Sequence, residues 1–238
     1  MYMADAVLTE LKKAVSSYTM PAAAKDVITK SHLLVLCGVT AAGKNTITSY
    51  LLSHGGFGYI VSHTTRKPRE NHGVLEQSGN DYWFVSEAEM LKLVQSDAFV
   101  EIKAIHGDTF YGTSIASIAE VIKQGKRPLT EIDVQGALEL INAVPSLHPA
   151  FILPPNYEVW MERLGTRGFM SDGEKQRRMH SARMELEMAL GSKAFLFVIN
   201  NEVEQAAAEI RGGVDSSVAA QSERRQLAEE LLEYVKQT

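Results

Sequence analysis

A single cysteine in 238 residues excludes a disulfide framework. Cys37 stands inside an apolar run, so an inert buried thiol and a reduced compartment are the expectation. Long hydrophobic stretches are missing as well. No run of 18 apolar residues exists, and the N-terminus has no basic region leading into an apolar one. We therefore expect a cytoplasmic protein with no membrane contact. Excess positive charge is also absent, with 24 Lys and Arg against 29 Asp and Glu. The formal charge of −5 removes the electrostatic reason to expect a nucleic-acid partner. No internal repeat and no low-complexity segment occur, and the seven histidines are scattered rather than grouped as metal ligands.

What is present is an ordinary globular composition, 45% hydrophobic and 22% charged, on a chain long enough for one domain with appendages. Its most informative stretch is Leu33-Leu34-Val35-Leu36-Cys37-Gly38-Val39-Thr40-Ala41-Ala42-Gly43-Lys44-Asn45-Thr46. The apolar run reads as a buried strand, and helical periodicity resumes after Lys44 through Ile47, Leu51 and Leu52. Between them lies Gly-x-x-x-x-Gly-Lys, the phosphate-binding loop pattern. Its glycines let backbone N–H groups converge on an anion at a helix N-terminus, and Lys44 adds a full charge for the outer phosphates. The place usually held by Ser or Thr after the lysine is Asn45 here.

Ahead of this stretch, Val7, Leu8, Leu11, Ala14 and Val15 recur at helical spacing, and Pro21 opens a second short helix. An amphipathic extension packed on the domain or on a partner accounts for both. Downstream, strand and helix alternate. Strands are expected at 59–62, 81–85, 99–102, 128–133, 150–153 and 195–199, and the polar stretch 70–80 reads as a loop. Ser86 with Glu89 forms a capping box, and Ser114 can cap another helix. Gly165, Gly168 and Gly173 beside Arg163, Arg167, Arg177 and Arg178 suggest a mobile cationic flap, or a plain inter-helix loop. An amphipathic tail helix carries Leu227, Leu231, Leu232 and Val235. The alternation implies an α/β fold, a mainly parallel sheet with helices on both faces.

Two features carry chemistry outside the loop. Arg66-Lys67-Pro68-Arg69 places three cations in four positions. Pro68 disfavours helix at Lys67, so both arginines lie on extended chain and can face one anion, although a solvated loop has the same composition. Glu131 and Asp133 lie at the C-terminal end of a strand, the edge where open α/β sheets bind ligands.

Taken together, the phosphate loop, Ser62 to Arg69, Asp81-Tyr82-x-Phe84-Val85-Ser86, Tyr111-Gly112-Thr113, Glu131-Ile132-Asp133-Val134-Gln135-Gly136 and Pro154-Pro155 resemble guanylate kinase, in register from about Leu33 to Ile210. The resemblance implies a phosphate-loop three-layer sandwich at 31–212, with a GMP-binding subdomain near 62–113 and a lid near 164–178. A helical extension would precede it at 1–30 and a helical tail follow at 213–238. The implied reaction transfers the γ-phosphoryl group of ATP to GMP with Mg²⁺, two anionic nucleotides held in line mainly by positioned cations.

By the same resemblance Gly38, Val39, Thr40, Ala41, Ala42, Gly43, Lys44, Asn45 and Thr46 hold ATP. Arg66 and Arg69, helped by the hydroxyls of Tyr82 and Tyr111, hold the GMP phosphate. Ser62, Glu101, Thr113 and Asp133 read the base. Lys44, Arg163, Arg167 and Arg178 are the catalytic cations, and Asn45 and Glu131 lie nearest the metal, Glu131 through water. Guanine offers N1–H and N2–H₂ side by side, which a carboxylate such as that of Glu101 accepts as a pair, whereas adenine presents a lone pair at N1. A lone acid in a strand otherwise merely faces solvent.

The chain departs from the family pattern at Asn45 and Ala41, which stand for serine and the middle glycine. Phe169 stands for a lid threonine, and the loop between Arg69 and Asp81 is about four residues longer. Two other readings fit parts of this pattern: a non-enzymatic guanylate-kinase-like binding module, and a kinase for a phosphorylated sugar. Retention of Lys44, the lid arginines and Glu101 argues against the first, and the guanine-reading set against the second. A homodimer or partner contact through the N-terminal helix is the remaining expectation.

Overall fold

The computed structural model describes residues 2–71, 73–105, 108–166 and 172–237. Elements are numbered in chain order. Strand β1 (Leu34–Gly38) is buried along its whole length, so both of its edges must pair and both of its faces must be covered. It pairs in parallel with β10 (Ala150–Leu153) on one side and β9 (Arg127–Glu131) on the other. β11 (Leu196–Ile199) continues beyond β10, again parallel. With β2 (Phe57–Tyr59) the order is β11-β10-β1-β9-β2, so the expected mainly parallel sheet is present.

By internal contacts the chain forms two compact units, Leu33–Phe57 with Leu129–Thr238, and Met1–His32 with Gly58–Pro128. The first is built on the parallel sheet. Around it lie α3 (Lys44–Ser53), α6 (Val134–Ala143), α7 (Tyr157–Gly165), α8 (Asp172–Leu190), α9 (Val203–Gly212) and α10 (Val218–Lys236). Leu36, Phe151, Phe197, Ile47, Leu186 and Ala207 are wholly buried at its centre. Cys37 is buried with them, and the low-dielectric surroundings push its thiol well above the usual range, so it packs as an inert apolar group. The tail helix α10 buries Ala228, Leu231, Leu232 and Val235, while Arg224 bonds both Phe197 O at 2.9 Å and Glu209 at 2.6 Å.

The second unit contains α1 (Tyr2–Ser16), α2 (Ala22–Ser31), α4 (Glu87–Gln95), α5 (Ile115–Lys123) and a four-stranded sheet. Its strands are β3 (His63–Thr64), β6 (Trp83–Phe84), β7 (Phe99–Ile105) and β8 (Thr109–Ser114), in the order β6-β3-β8-β7. Leu11 of α1 enters a core with Met90, Leu91 and Val94 of α4 and Phe99, Ile102 and Phe110 of the sheet. Val7, Leu8, Ala14 and Val15 pack around it, so the apolar stripe of the N-terminal extension is used within this unit. The Ser86–Glu89 capping box opens α4, and the Ser114 side chain accepts the Ser117 N–H at the start of α5.

Three local expectations are corrected. The strand expected at 59–62 is divided: β2 ends at Tyr59 and β3 begins at His63, because the chain passes from one sheet to the other here. The stretch 70–80 is not all loop. Gly73 adopts φ +79, a left-handed turn conformation, and lets β4 (Glu70–Asn71) fold back on β5 (Val74–Leu75) as a hairpin. Finally, Asp172 to Arg178, where a glycine-rich flap or loop is expected, form the first turns of α8. Arg167 and Phe169 lie outside the described residues. No helix among the described residues is long and apolar enough to cross a membrane.

Candidate active site

The phosphate loop emerges where β1 runs out of ladder. Gly38 takes φ +138, and a Cβ there would lie 2.4 Å from Ile152 O on β10, so only glycine lets the loop turn this close to the neighbouring strand. Gly43 takes φ +91 and a Cβ would meet Asn200 Nδ2 at 2.2 Å. Ala41 adopts φ +60, a left-handed geometry that costs a side-chain-bearing residue about 1 kcal/mol. An alanine thus occupies, at that cost, a conformation that glycine adopts freely.

Side chains from three other elements truss this loop. Asn200, buried at the end of β11, donates Nδ2–H to Ala42 O at 2.7 Å. Trp160 of α7, wholly buried, donates its indole N–H to Thr40 O at 2.7 Å. Lys44 bends back over the loop, donating to Val39 O at 3.0 Å and also to Gly38 O. The ammonium is thereby fixed inside the ring of backbone amides rather than extended into solvent. Asn45 and Thr46, at the exposed start of α3, follow directly.

An open cleft of about 440 Å³ adjoins the loop, lined by Thr40, Glu174, Arg177, Arg178, Ser181 and Glu185. Arg178 donates to Glu174 one helical turn away at 2.5 Å. Arg163 is bonded to backbone, Nη1 to Asn200 O at 2.9 Å and Nη2 to Asn201 O at 3.2 Å. Burial pushes the Glu185 carboxyl above the usual range; the Lys44 ammonium opposes that shift and the Asp133 carboxylate adds to it. Glu185 Oε2 is buried with no hydrogen-bond partner among the described residues. Asp133 caps α6, its Oδ1 accepting the Gly136 N–H at 2.6 Å, and Glu131 ends β9, in register with Leu36 of β1.

Seven further candidates gather in the other unit, as two adjoining groups. In one, Thr113 Oγ1 donates to Glu101 Oε1 at 2.8 Å and lies 3.2 Å from Ser62 Oγ, a string of hydroxyls ending on a carboxylate. In the other, the Arg66 guanidinium lies over the Tyr82 ring at 5.2 Å, while the Tyr82 and Tyr111 rings meet edge to face at 5.8 Å. Arg69 is exposed three residues further on. Asp133 is thus the one residue of the base-reading set that belongs to the unit of the phosphate loop.

Sequence reading missed Glu76. Its carboxylate takes Arg66 in two hydrogen bonds, 2.8 and 3.0 Å, both side chains being only one-tenth exposed, and Oε2 also accepts the Arg69 N–H at 2.8 Å. Ten residues separate Glu76 from Arg66, and no local pattern signals the pairing; the β4–β5 hairpin brings them together. Asn200 and Trp160 were missed as well, although Asn200 at the C-terminal end of a buried strand occupies a position typical of ligand-side residues.

The Arg66 hydrogen bonds, with the Arg69 N–H, hold the Glu76 carboxyl down to about 2, against an ordinary 4.5. A carboxyl depressed in the folded state stabilises above its unfolded value and ceases to do so as pH falls through its folded one. The stability difference between wild type and Glu76→Gln should therefore be fully present above pH 4.5 and vanish toward about pH 2. Urea melts across that window check this, and a difference independent of pH would count against the pairing.

Comparison with known proteins gives one consistent family. The family model described as Guanylate kinase matches residues 30–216. The chain is 36% identical over 206 residues to a guanylate kinase of Neisseria gonorrhoeae, covering 86% of this chain and 97% of that protein. A guanylate kinase of Oleidesulfovibrio alaskensis is 35% identical over 202 residues, covering 84% and 95%. Among solved structures, the crystal structure of guanylate kinase from Anaplasma phagocytophilum superposes with a TM-score of 0.52 at 25% identity, covering 85% of this chain and 93% of that one.

Proposed function

The chain belongs to the guanylate kinase family, and on that premise we propose that it transfers the γ-phosphoryl group of ATP to GMP, in the cytoplasm, giving ADP and GDP. The observation that carries the substrate assignment is the Ser62–Thr113–Glu101 string. It presents a fixed carboxylate edge to two adjacent base donors, which guanine has and adenine lacks. Arg66, preset by Glu76 and flanked by Tyr82 and Tyr111, and the neighbouring Arg69 supply the cationic donors for the GMP phosphate.

ATP takes the phosphate loop, Gly38 through Thr46. The amides of the loop and the start of α3 surround the β- and γ-phosphates, and Lys44, held at the loop carbonyls, neutralises them. Arg163, Arg167 and Arg178 stabilise charge on the transferring group, an electrostatic contribution made where the charge develops. The oxygen donors near the loop suit Mg²⁺: the Asn45 amide, the Glu131 carboxylate and the orphaned Oε2 of Glu185 are hard ligands of the kind this ion takes, directly or through water. When bound with ATP, Mg²⁺ would supply positive charge that offsets the charge of the phosphates. Asn45 would be compatible with this arrangement, its amide oxygen standing in for the usual hydroxyl and Thr46 taking the phosphate contact. A contact between copies of the chain through α1 would use its polar face, the apolar one being packed within the unit.

ADP release, followed by a coupled assay with GMP, AMP, UMP and ribose phosphates, tests the whole reading. Turnover should be confined to GMP. Preference for a ribose phosphate would point to a sugar-phosphate kinase, and no turnover at all to a binding module. In the same assay Asn45→Ser should change kcat by less than about tenfold, and Thr46→Ala should cost more. Activity that appears only in Asn45→Ser would overturn the assigned role of Thr46.

A further inference from the structure

Residues 1–29 lie outside the family match, yet one of them reaches the strand that carries Glu101. Tyr18 follows α1 and places its hydroxyl on the backbone of Phe99, the first residue of β7. The hydroxyl donates to Phe99 O at 2.7 Å and accepts the Phe99 N–H at 3.0 Å. Because β7 is the last strand of its sheet, one phenol here does the work of a missing neighbouring strand. Burial pushes the Tyr18 hydroxyl above its ordinary range.

Phe99 is a consequential residue to fix. The register between β7 and β8 slips between Phe99, opposite Ser114, and Glu101, opposite Thr113, so a bulge lies between the braced residue and the carboxylate. A bulge bends its strand and re-aims the side chains beside it, so what holds Phe99 bears on where Glu101 points. The Phe99 ring, wholly buried, meets the His63 ring edge-on at 5.6 Å. It also packs so closely on Gly112 that a Cβ there would lie 2.8 Å from Phe99 Cδ1. His63 adjoins Ser62, and Gly112 adjoins Thr113. Phe99 therefore touches the chain neighbours of Ser62 and Thr113 and lies two residues before Glu101 on β7.

We propose that Tyr18 is a positioning residue for guanine recognition: the N-terminal extension braces Phe99, and through the bulge and the packed ring it sets the direction of Glu101 and its two hydroxyl partners. This rests on the reading of that string as the base site. The segment from α1 to Tyr18 is then part of the GMP-binding machinery, although it touches no nucleotide. Leu11 anchors α1 in the same core as Phe99, so the brace is continuous from the helix to the strand.

Tyr18→Phe removes the hydroxyl and keeps the ring. It should raise KM for GMP about tenfold, leave kcat and KM for ATP within about twofold, and narrow the preference for GMP over IMP, which lacks the second base donor. Calorimetry of GMP binding well below the unfolding transition should show the same loss of affinity. An unchanged KM for GMP, an equal rise in KM for both substrates, or GMP affinity that returns on cooling would each overturn the positioning role. Wild-type protein that fails to phosphorylate GMP would sink the base-site reading and this proposal together. Active wild type with unaltered Tyr18→Phe would sink the proposal alone.

Discussion

Lys44→Ala is expected to lower turnover by about 10³-fold or more while leaving GMP affinity largely intact. The cation is held at the phosphate loop by the carbonyls of Gly38 and Val39. The transferring group passes through a state whose charge is spread over its oxygens, so a lost preorganised cation acts on kcat more than on ground-state binding. The proposed ligands of the acceptor's phosphate, Arg66 and Arg69, belong to the other compact unit, where Glu76 and Tyr82 hold Arg66. Steady-state kinetics with a calorimetric GMP titration separates the two roles. Loss of GMP affinity in step with activity would show that Lys44 serves both nucleotides.

Glu101→Gln should reduce kcat/KM for GMP by about 2–4 kcal/mol of transition-state binding and leave the slow reaction with AMP unchanged or slightly improved. The structure gives the direction a mechanism. Thr113 Oγ1 donates to Glu101 Oε1, so an amide in its place keeps its carbonyl oxygen on that hydroxyl and turns its NH₂ toward the base. Two donors then face the two donors of guanine. Kinetics of the variant with GMP and AMP decide the matter, and unchanged GMP kinetics would make Glu101 an ordinary strand residue. The neighbouring hydroxyls bear on the expected cost of this one-atom change: Thr113 is buried and holds Glu101 Oε1 by a hydrogen bond, while Glu101 and Ser62 are half-buried.

Much of this protein is legible in its sequence because the physics involved is local. A fully buried parallel strand must be a continuous apolar run, and Leu34 to Cys37 is one. The turn that follows it needs residues tolerant of positive φ, which two of the three positions show as glycine. The capping residues Ser86, Ser114 and Asn156 are written within three positions of the N–H groups they satisfy. The helical period of residues 7–15 likewise requires a buried stripe, whatever covers it. The same locality names the candidate cations and carboxylates, since each sits in a short motif.

What covers that stripe, and how the candidate groups are held, depends on tertiary structure. Arg66 and Glu76 are ten residues apart and meet only because Gly73 reverses the chain into a hairpin that reads as polar loop. Asn200 reaches the phosphate loop across 158 positions of sequence, and Trp160 across 120, so neither pairing leaves a local trace. The brace from Tyr18 to Phe99 spans 81 positions and depends on which strand of the sheet is left at its edge. A hydrogen bond is satisfied by proximity and direction, and for groups this far apart both are supplied by packing of the elements between them. Composition and period determine which segments are buried and which residues can do chemistry. The folded core alone determines which of those residues are pinned in place and by what.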